Sequence, residues 1–263
     1  YLQECGVNSE LLPALDYMRI DKNNEPDTSY IRENLTRILD ETGKKDIYIT
    51  QGYICRNAFG EIDNLQRGGS DYSASLIGAA IDAEEIQIWT DIDGMHNNDP
   101  RYVENTKSIA ELSFDEAAEL AYFGAKILHP TSVLPAKLAN IPVRLLNTMD
   151  PKAPGTLISG TETKGRITAV AAKDGITSIR IKSGRMLLAY GFLRKVFEIF
   201  ESYKTPIDMV TTSEVGVSVT IDNNRHLDDI IDDLKKFGTV DVETDQVIIC
   251  VVGDLIKQHK GYA

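Results

Sequence analysis

The chain has 263 residues, enough for one large domain or two medium domains, each with its own core. Its 28 basic and 40 acidic residues leave a formal charge of −12, which argues against nucleic acid or an anionic membrane as the main partner. The three cysteines are far apart and lack metal-ligand spacing, and no apolar run is long enough to span a bilayer. These features predict a soluble cytoplasmic protein with free thiols.

Helical and strand patterns alternate through residues 1–145, which is typical of a mainly parallel sheet covered by helices on both faces. Thr28 is the expected cap of the first helix, and Ser113 and Glu116 have capping-box spacing before a helix that should stop at Gly124. The predicted elements are, in chain order, a helix with Ile31, Leu35, Ile38 and Leu39 on its apolar face, a buried strand over 46–54, a helix over 73–85, a strand over 86–90, the helix after Ser113 and a strand over 141–147.

The stretch NLQRGGSDYSA, residues 64–74, joins a predicted strand to the next predicted helix. Its two glycines permit positive φ and allow the backbone to approach a ligand closely. Ser70 or Asp71 is expected to cap the helix, whose first N–H groups favour a phosphate or carboxylate. Arg67 offers a planar donor fork that suits a carboxylate. A Gly-rich turn with an ordinary cap and a surface arginine explains the same spacing equally well.

A second polar stretch, WTDIDGMHNNDPR at 89–101, begins where a strand ends, at the edge of the sheet where open α/β folds bind ligands. It carries Asp91 and Arg101, although a turn rich in Gly, Asn and Asp needs no ligand to explain it. In FGAKILHP, residues 123–130, Lys126 follows a predicted helix, where a lone lysine usually interacts with the helix end. Together, these cations and carboxylates predict a phosphoryl-transfer site that acts by positioning and charge neutralisation.

Residues 148–166 are rich in Pro, Gly and Thr, which predicts a domain boundary. The patterns beyond it follow the order strand, helix, strand, strand, helix, strand, which is the ferredoxin-like order. These elements are a strand over 176–181, a helix with Leu193, Val196, Phe197 and Phe200 on one face, strands in IDMVTTS and GVSVTID, a helix with Leu227, Ile230, Ile231 and Leu234 on its apolar face, and a strand over 239–243. A further strand over 246–254 is expected to start another unit.

Four motifs in the same order closely resemble the aspartate kinase family of the amino-acid kinase superfamily: ITQGYI…LQRGGSDYSA, WTDIDGMHNNDPR, FGAKILHP and TTSEV. They span nearly all of the chain. The resemblance implies an α/β, mainly parallel-sheet kinase domain followed by ferredoxin-like α+β ACT domains. It also implies transfer of the ATP γ-phosphoryl group, with Mg²⁺, to the side-chain carboxylate of L-aspartate. The product, 4-phospho-L-aspartate, begins the biosynthesis of lysine, threonine and methionine.

The resemblance assigns a role to each matching site residue and assigns none as a metal ligand. The substrate-binding residues would be Arg67, which grips a carboxylate, with Gly68, Gly69, Ser70 and Asp71. The ATP-binding residues would be Thr90, Asp91, His96, Arg101 and Lys126. Of these, Asp71 and Lys126 would be catalytic, because Asp71 orients cationic groups and Lys126 neutralises charge on the phosphates. His96 stands where relatives often have tyrosine, and Gln66 where they often have glycine.

The implied domains are an incomplete kinase domain over 1–150, a linker over 151–167, a first ACT domain over 168–243 and the start of a second over 244–263. An amino-acid effector, lysine or threonine, would bind the first ACT domain, with lysine favoured because acidic residues outnumber basic ones in the pocket. The pocket residues would be Met186, Phe192, Leu193, Ile207, Asp208, Thr212, Ser213 and Glu214. Phe192, Leu193 and Ile207 fit equally well as core residues. Paired ACT domains imply a homodimer or a larger assembly.

The opening strand and Gly-rich loop of the family, which carry a catalytic lysine, and a later glutamate have no counterpart from Tyr1 onward. The chain is therefore expected to be a fragment that is inactive alone. Two alternatives stay open: a catalytically silent regulatory chain, and a kinase for glutamate, carbamate or uridylate. Regulatory chains usually begin near the ACT region, whereas this chain has about 145 residues of kinase sequence before it. RGGSDYSA followed by an ACT module disfavours the other kinases.

Overall fold

The structure, a computed structural model, describes residues 1–65, 68–123, 128–161, 167–183 and 190–253. It divides into two compact units. The first comprises Tyr1–Ala171 together with the end of the chain from Cys250, and the second comprises Ala172–Ile249. Within the described ranges, no helix is both long and apolar enough to cross a membrane.

The first unit alternates strands and helices, as predicted. Its strands are β1 (Ser9–Leu12), β2 (Ile47–Thr50), β3 (Ile54–Arg56), β4 (Ile62–Asn64), β5 (Ile86–Thr90), β6 (Glu111–Ser113), β7 (Val143–Asn147) and β8 (Thr156–Ser159). Its helices are α1 (Thr28–Thr42), α2 (Gly69–Ala80), α3 (Phe114–Phe123) and α4 (Leu134–Ala139), with short 3-10 helices at Ala14–Asp16 and Pro130–Val133.

Most strand pairs of this unit are parallel. The main sheet has the order β5-β7-β8-β6, with β5 parallel to β7, β6 parallel to β8, and β7 antiparallel to β8. A second pair, β1 and β2, is also parallel, and β3 and β4 form an antiparallel hairpin. One apolar core lies between the main sheet and α3, and another lies around α1 and α2. The predicted α/β class with a mainly parallel sheet is therefore confirmed.

Two helix starts differ from the predictions. Asp27, not Thr28, caps α1, because its carboxylate accepts a hydrogen bond of 3.1 Å from the Tyr30 N–H and leaves Thr28 as the first helical residue. The helix predicted over 73–85 begins at Gly69 and ends at Ala80, two residues before Asp82, which has a positive φ of 51°. The capping box is confirmed, since the Ser113 N–H donates to the Glu116 carboxylate and the Glu116 N–H donates to the Ser113 hydroxyl.

Two predictions for strands and linker also change. The buried strand expected over 46–54 is only β2, and Ile47 and Ile49 remain 41% and 45% exposed. The cause is that, among the described residues, β2 pairs only with β1, and Gly52 and Tyr53 interrupt the extended chain, Tyr53 with a φ of 73°. The segment predicted as a linker contains β8, which is hydrogen-bonded between β7 and β6.

The second unit has the predicted ferredoxin-like order. Its elements are β9 (Ile167–Lys182), α5 (Phe192–Ser202), β10 (Met209–Thr212), β11 (Gly216–Ile221), α6 (Leu227–Leu234) and β12 (Thr239–Gly253). The sheet order β10-β11-β9-β12 places the first strand between the third and the last, as this fold requires. The two strands predicted over 239–243 and 246–254 form one strand, β12, and both β9 and β12 extend beyond this unit.

The buried face of α5 is rotated from the predicted one. Phe192, Val196 and Phe200 lie four residues apart and are buried against the sheet. Leu193 and Phe197, which were predicted on the same face, are instead 38% and 39% exposed. Their one-residue offset from the buried stripe turns them about 100° around the helix, toward solvent.

Candidate functional site

The Gly-rich loop ends at the start of α2, where two successive glycines have left-handed backbone angles. Gly68 is the N-cap residue, with a φ of 84°, and Gly69 has a φ of 34°. The prediction that Ser70 or Asp71 caps the helix is wrong, because both lie in its first turn. Among the described residues, no side chain makes a cap hydrogen bond at the start of α2. First-turn N–H groups without a cap, together with the partial positive charge of the helix start, favour an anion. Arg67 lies outside the described residues.

The segment between β2 and β3 packs closely against one side of this helix start. The Tyr53 N–H donates a hydrogen bond of 2.8 Å to the Ser73 hydroxyl on α2. A Cβ on Gly52 would lie 2.9 Å from Ser70 Oγ, and a Cβ on Gly69 would lie 3.0 Å from Cδ2 of the Tyr53 ring. Glycine at 52 and 69 therefore allows the two segments to meet at van der Waals distance.

The HPTS segment, residues 129–132, also packs against the loop. A Cβ on Gly68 would lie 3.1 Å from Ser132 Cβ and 3.4 Å from His129 Cβ. The Ser132 hydroxyl donates to the His129 carbonyl at 2.6 Å, which stabilises the 3-10 turn that His129 begins. The structure thus brings Gly68 of the Gly-rich loop together with His129 and Ser132, which lie 61 and 64 residues further along the sequence. Lys126 itself lies outside the described residues.

Three contact residues of this loop were not predicted: Tyr53, His129 and Ser132. Tyr53 and His129 belong to motifs that were recognised, but neither received a role. These residues can lie close to the loop because Gly68 and Gly69 have no Cβ, and the periodicity of a sequence does not predict such contacts. The left-handed φ of Tyr53, uncommon for a non-glycine residue, is often found at functional sites.

Asp71 is half-buried in the first turn of α2. Burial raises the pKa of its carboxyl group above the usual range, because desolvation disfavours the charged form. A cation next to Asp71 would offset this effect and restore the ionised carboxylate. This environment suits the predicted role, in which Asp71 orients cationic groups around a phosphate.

The predicted nucleotide loop follows β5 at the carboxyl edge of the main sheet. Thr90 pairs with Asn147 at the ends of the parallel strands β5 and β7, and its hydroxyl donates to the Asp91 carboxylate at 3.1 Å. Arg101 is largely exposed and grips the Asp99 carboxylate, with Nε 3.0 Å from both oxygens. That hydrogen bond holds the pKa of Asp99 below its usual range. A phosphate that binds Arg101 must therefore compete with Asp99 or share the guanidinium.

His96 is held by its own loop. Its Nε2 lies 2.7 Å from the Asp93 carboxylate and its Nδ1 lies 2.8 Å from the Thr106 hydroxyl, and only 18% of the side chain is exposed. Since both ring nitrogens have partners within the loop, a direct contact with ATP, as predicted, would require the ring to leave one of them.

In the second unit, the predicted effector residues lie in different environments. Phe192 is part of the core and Ile207 packs against it, so the alternative of a core role applies to both. The Asp208 side chain is 2% exposed and lies 2.7 Å from the Lys173 ammonium, whose second partner is Asp222 at 2.9 Å. Burial lowers the pKa of Lys173, but the hydrogen bonds to these two carboxylates outweigh it, so the net pKa is raised.

Three further effector residues lie at the other end of β10. Asp208 directly precedes β10, whereas Thr212 ends it, and Ser213 and Glu214 form the exposed turn to β11. The Ser213 N–H donates to the Gly216 carbonyl at 2.8 Å in this turn. The four residues of β10 and Ser213 thus separate Asp208 from Glu214. Met186 lies outside the described residues.

Comparison with known proteins identifies the family. Aspartokinase 1, chloroplastic, of Arabidopsis thaliana is 42% identical over 213 residues, which cover 77% of this chain and 37% of that protein. Lysine-sensitive aspartokinase 3 of Escherichia coli is 36% identical over 272 residues, which cover 99% of this chain and 61% of that protein. The crystal structure of E. coli aspartokinase III in complex with aspartate and ADP (R-state) matches with a TM-score of 0.84 and 33% identity, over 99% of this chain and 61% of that one.

These matches confirm the resemblance to aspartate kinases that the motifs indicated. The chain spans 37% to 61% of the length of the two sequence relatives. The sequence model of the amino acid kinase family matches residues 1–147, more than half of the chain. The chain therefore belongs to the amino acid kinase family.

Proposed function

We propose that the protein to which this chain belongs is an aspartate kinase, which transfers the γ-phosphoryl group of ATP to the side-chain carboxylate of L-aspartate. The observation that carries the proposal is the uncapped start of α2 between Tyr53 and the His129–Ser132 segment. This arrangement occurs in a chain whose fold matches an aspartokinase crystallised with aspartate and ADP. A helix start of this kind attracts a carboxylate or phosphate, and both anions take part in the reaction.

The residues around this helix start would position the two anions for transfer. Arg67 would bind a carboxylate of aspartate through its guanidinium fork, and the first N–H groups of α2, with Ser70, would bind near it. Asp71 would orient the cationic groups, among them Lys126, around the transferring phosphoryl group. The attacking carboxylate oxygen forms a bond to the γ-phosphorus as the bond to the β-phosphate oxygen breaks, leaving ADP. Positioning and charge neutralisation supply most of the catalysis in such reactions.

Nucleotide binding would depend on the loop after β5. Thr90 and Asp91 would contact ATP at the carboxyl edge of the sheet, and Arg101 would reach its phosphates from the loop tip. Mg²⁺ would arrive with ATP, bound largely by phosphate oxygens, and would shield their negative charge. The half-buried Asp71, whose pKa is raised by burial, fits a site that receives cations.

The test is an acceptor panel with the purified full-length protein and Mg-ATP. Hydroxylamine converts an acyl phosphate to a hydroxamate, so the product can be measured directly with L-aspartate, L-glutamate or carbamate, and phosphorylated UMP is measured separately. We expect product from L-aspartate alone. Efficient phosphorylation of glutamate, carbamate or UMP, without product from aspartate, would replace this proposal with one of the other amino acid kinase reactions.

We also propose that an amino acid, lysine first, regulates the enzyme by binding the second unit of a homodimer in the cytoplasm. The name of the lysine-sensitive E. coli relative supports this choice of effector. Asp208 and Glu214 lie beyond opposite ends of β10, and four strand residues extend about 13 Å. A small ligand that contacts both Asp208 and Glu214 would therefore bind Asp208 of one subunit and Glu214 of the other.

A further inference from the structure

We propose that His96 is a positioning residue for the nucleotide loop and contacts no part of ATP. This inference rests on the proposed function, since it concerns how the loop after β5 presents Arg101 to the phosphates. It also replaces the role of ATP ligand that the resemblance assigned to His96.

The base of the loop is a short antiparallel pairing. The Ile109 N–H donates to the Met95 carbonyl at 2.8 Å, and the Asn97 N–H donates to the Lys107 carbonyl at 3.0 Å. Met95 is fully buried, and its N–H donates to the hydroxyl of Thr156 on β8, which anchors the base to the main sheet. The tip, residues 98–105, extends beyond this pairing and carries Arg101.

His96 connects the chain entering the tip with the chain leaving it. Asp93 lies on the chain that leads into the tip, and Thr106 directly follows the tip. The His96 ring bridges them, with one ring nitrogen bonded to each. A carboxylate only accepts hydrogen bonds, so Nε2–H donates to Asp93, and in the neutral ring Nδ1 accepts the Thr106 hydroxyl proton. The bond from His96 also holds the pKa of Asp93 below its usual range, which keeps that carboxylate ionised.

Both ring nitrogens are therefore used, and little of the ring is exposed. If the His96 ring contacted ATP through a nitrogen, it would lose one of these hydrogen bonds. If it positions the loop, it keeps both. The backbone pairing fixes the base of the loop, but it ends at Asn97 and Lys107. The Asn97 side chain accepts a hydrogen bond of 2.8 Å from the Lys107 N–H, and one residue closer to the tip the His96–Thr106 bond holds the returning end, and with it the direction in which Arg101 points.

The first experiment is a mutant cycle in the full-length protein with Mg-ATP as the varied substrate. His96→Phe keeps the ring volume and removes both hydrogen bonds, and we expect it to raise the KM for ATP about ten-fold while the KM for aspartate changes little. Asp93→Asn or Thr106→Val should each have a smaller effect alone and none when added to His96→Phe. His226→Phe, in the second unit, is the matched control and should leave both constants unchanged.

The second experiment measures hydrogen exchange, which does not depend on activity. We expect His96→Phe to speed exchange at the amides of Asn97 and Lys107, whereas His226→Phe should not. Full addition of the Asp93→Asn effect onto His96→Phe, or a normal KM for ATP in His96→Phe, overturns the inference. Unchanged loop exchange in His96→Phe overturns it as well. Failure of the wild-type protein to bind Mg-ATP refutes the proposed function instead, and the exchange result still reports on the hydrogen bonds of His96 to Asp93 and Thr106.

Discussion

Replacement of Gly68 by alanine tests whether the close approach of the HPTS segment to the Gly-rich loop matters for activity. The alanine would have to adopt a φ near 84°, which costs about 1–2 kcal/mol for a residue with a Cβ. The new Cβ would also lie 3.1 Å from Ser132 Cβ and 3.4 Å from His129 Cβ. These distances are short enough that the segment must move by a few tenths of an ångström.

Gly60→Ala is the matched control, because it separates backbone strain from this displacement. Gly60 has a φ of 83°, nearly the same as Gly68, and nothing lies within 4 Å of a Cβ built on it. We expect both variants to lower the Tm of the full-length protein by a similar amount, about 2–8 °C for a strain of 1–2 kcal/mol. Only Gly68→Ala should lower kcat/KM for aspartate, by about ten-fold, since small misplacements of reacting groups have large effects on rate.

The assay combines thermal denaturation with steady-state kinetics on both variants. Equal kcat/KM values for the two proteins would show that the contact between Gly68 and Ser132 is not part of the active site. A much larger fall in Tm for Gly68→Ala than for Gly60→Ala, with normal kinetics below the transition, would assign the contact to stability alone.

Three further predictions concern the full-length protein. Arg67→Ala should raise the KM for aspartate far more than that for ATP, because truncating one partner of a buried charge pair costs about 2–5 kcal/mol; equal changes in both constants contradict this role. Lys126→Met should lower kcat with little change in either KM, since a cation acting on charge that develops in the transition state affects turnover; near-normal turnover contradicts it. Among lysine, threonine and methionine, one amino acid, lysine by expectation, should raise Tm. Asp208→Asn should abolish that shift, whereas Asp222→Asn, which removes the more exposed partner of Lys173, should keep it. If no amino acid raises Tm, the sensing role is wrong.

Much of the fold could be predicted because periodicity and capping are local signals. The strand at 86–90, the capping box of Ser113 and Glu116, and the ferredoxin-like order all follow from residue spacing within one or two turns. The predicted burial of β2 is wrong for a tertiary reason. An apolar strand is buried only where neighbours cover it, and β2 has one paired strand among the described residues.

The candidate site could be predicted as a set of motifs but not as a set of contacts. The Gly-rich loop was interpreted as a turn with a polar cap, since serine and aspartate after glycine are typical N-cap residues. The structure begins the helix at Gly69 instead, because two left-handed glycines leave Ser70 and Asp71 inside the first turn. The hydrogen bonds of His96 to Asp93 and Thr106 likewise depend on how the loop folds back, since Thr106 is ten residues away from His96 in sequence.

The caps of the three longer helices of the first unit suggest why α2 begins as it does. Asp27 caps α1 and Ser113 caps α3, and such caps typically contribute about 1 kcal/mol to stability. At α2, Gly68 occupies the corresponding position, and among the described residues no side chain makes a cap hydrogen bond there. A side chain at this position would press against the HPTS segment, and a capping side chain would occupy N–H groups that an anion needs. The absence of a cap thus leaves the first N–H groups of α2 open to an anion. Binding of aspartate or ATP there would stabilise the folded protein and offset the missing contribution of the cap.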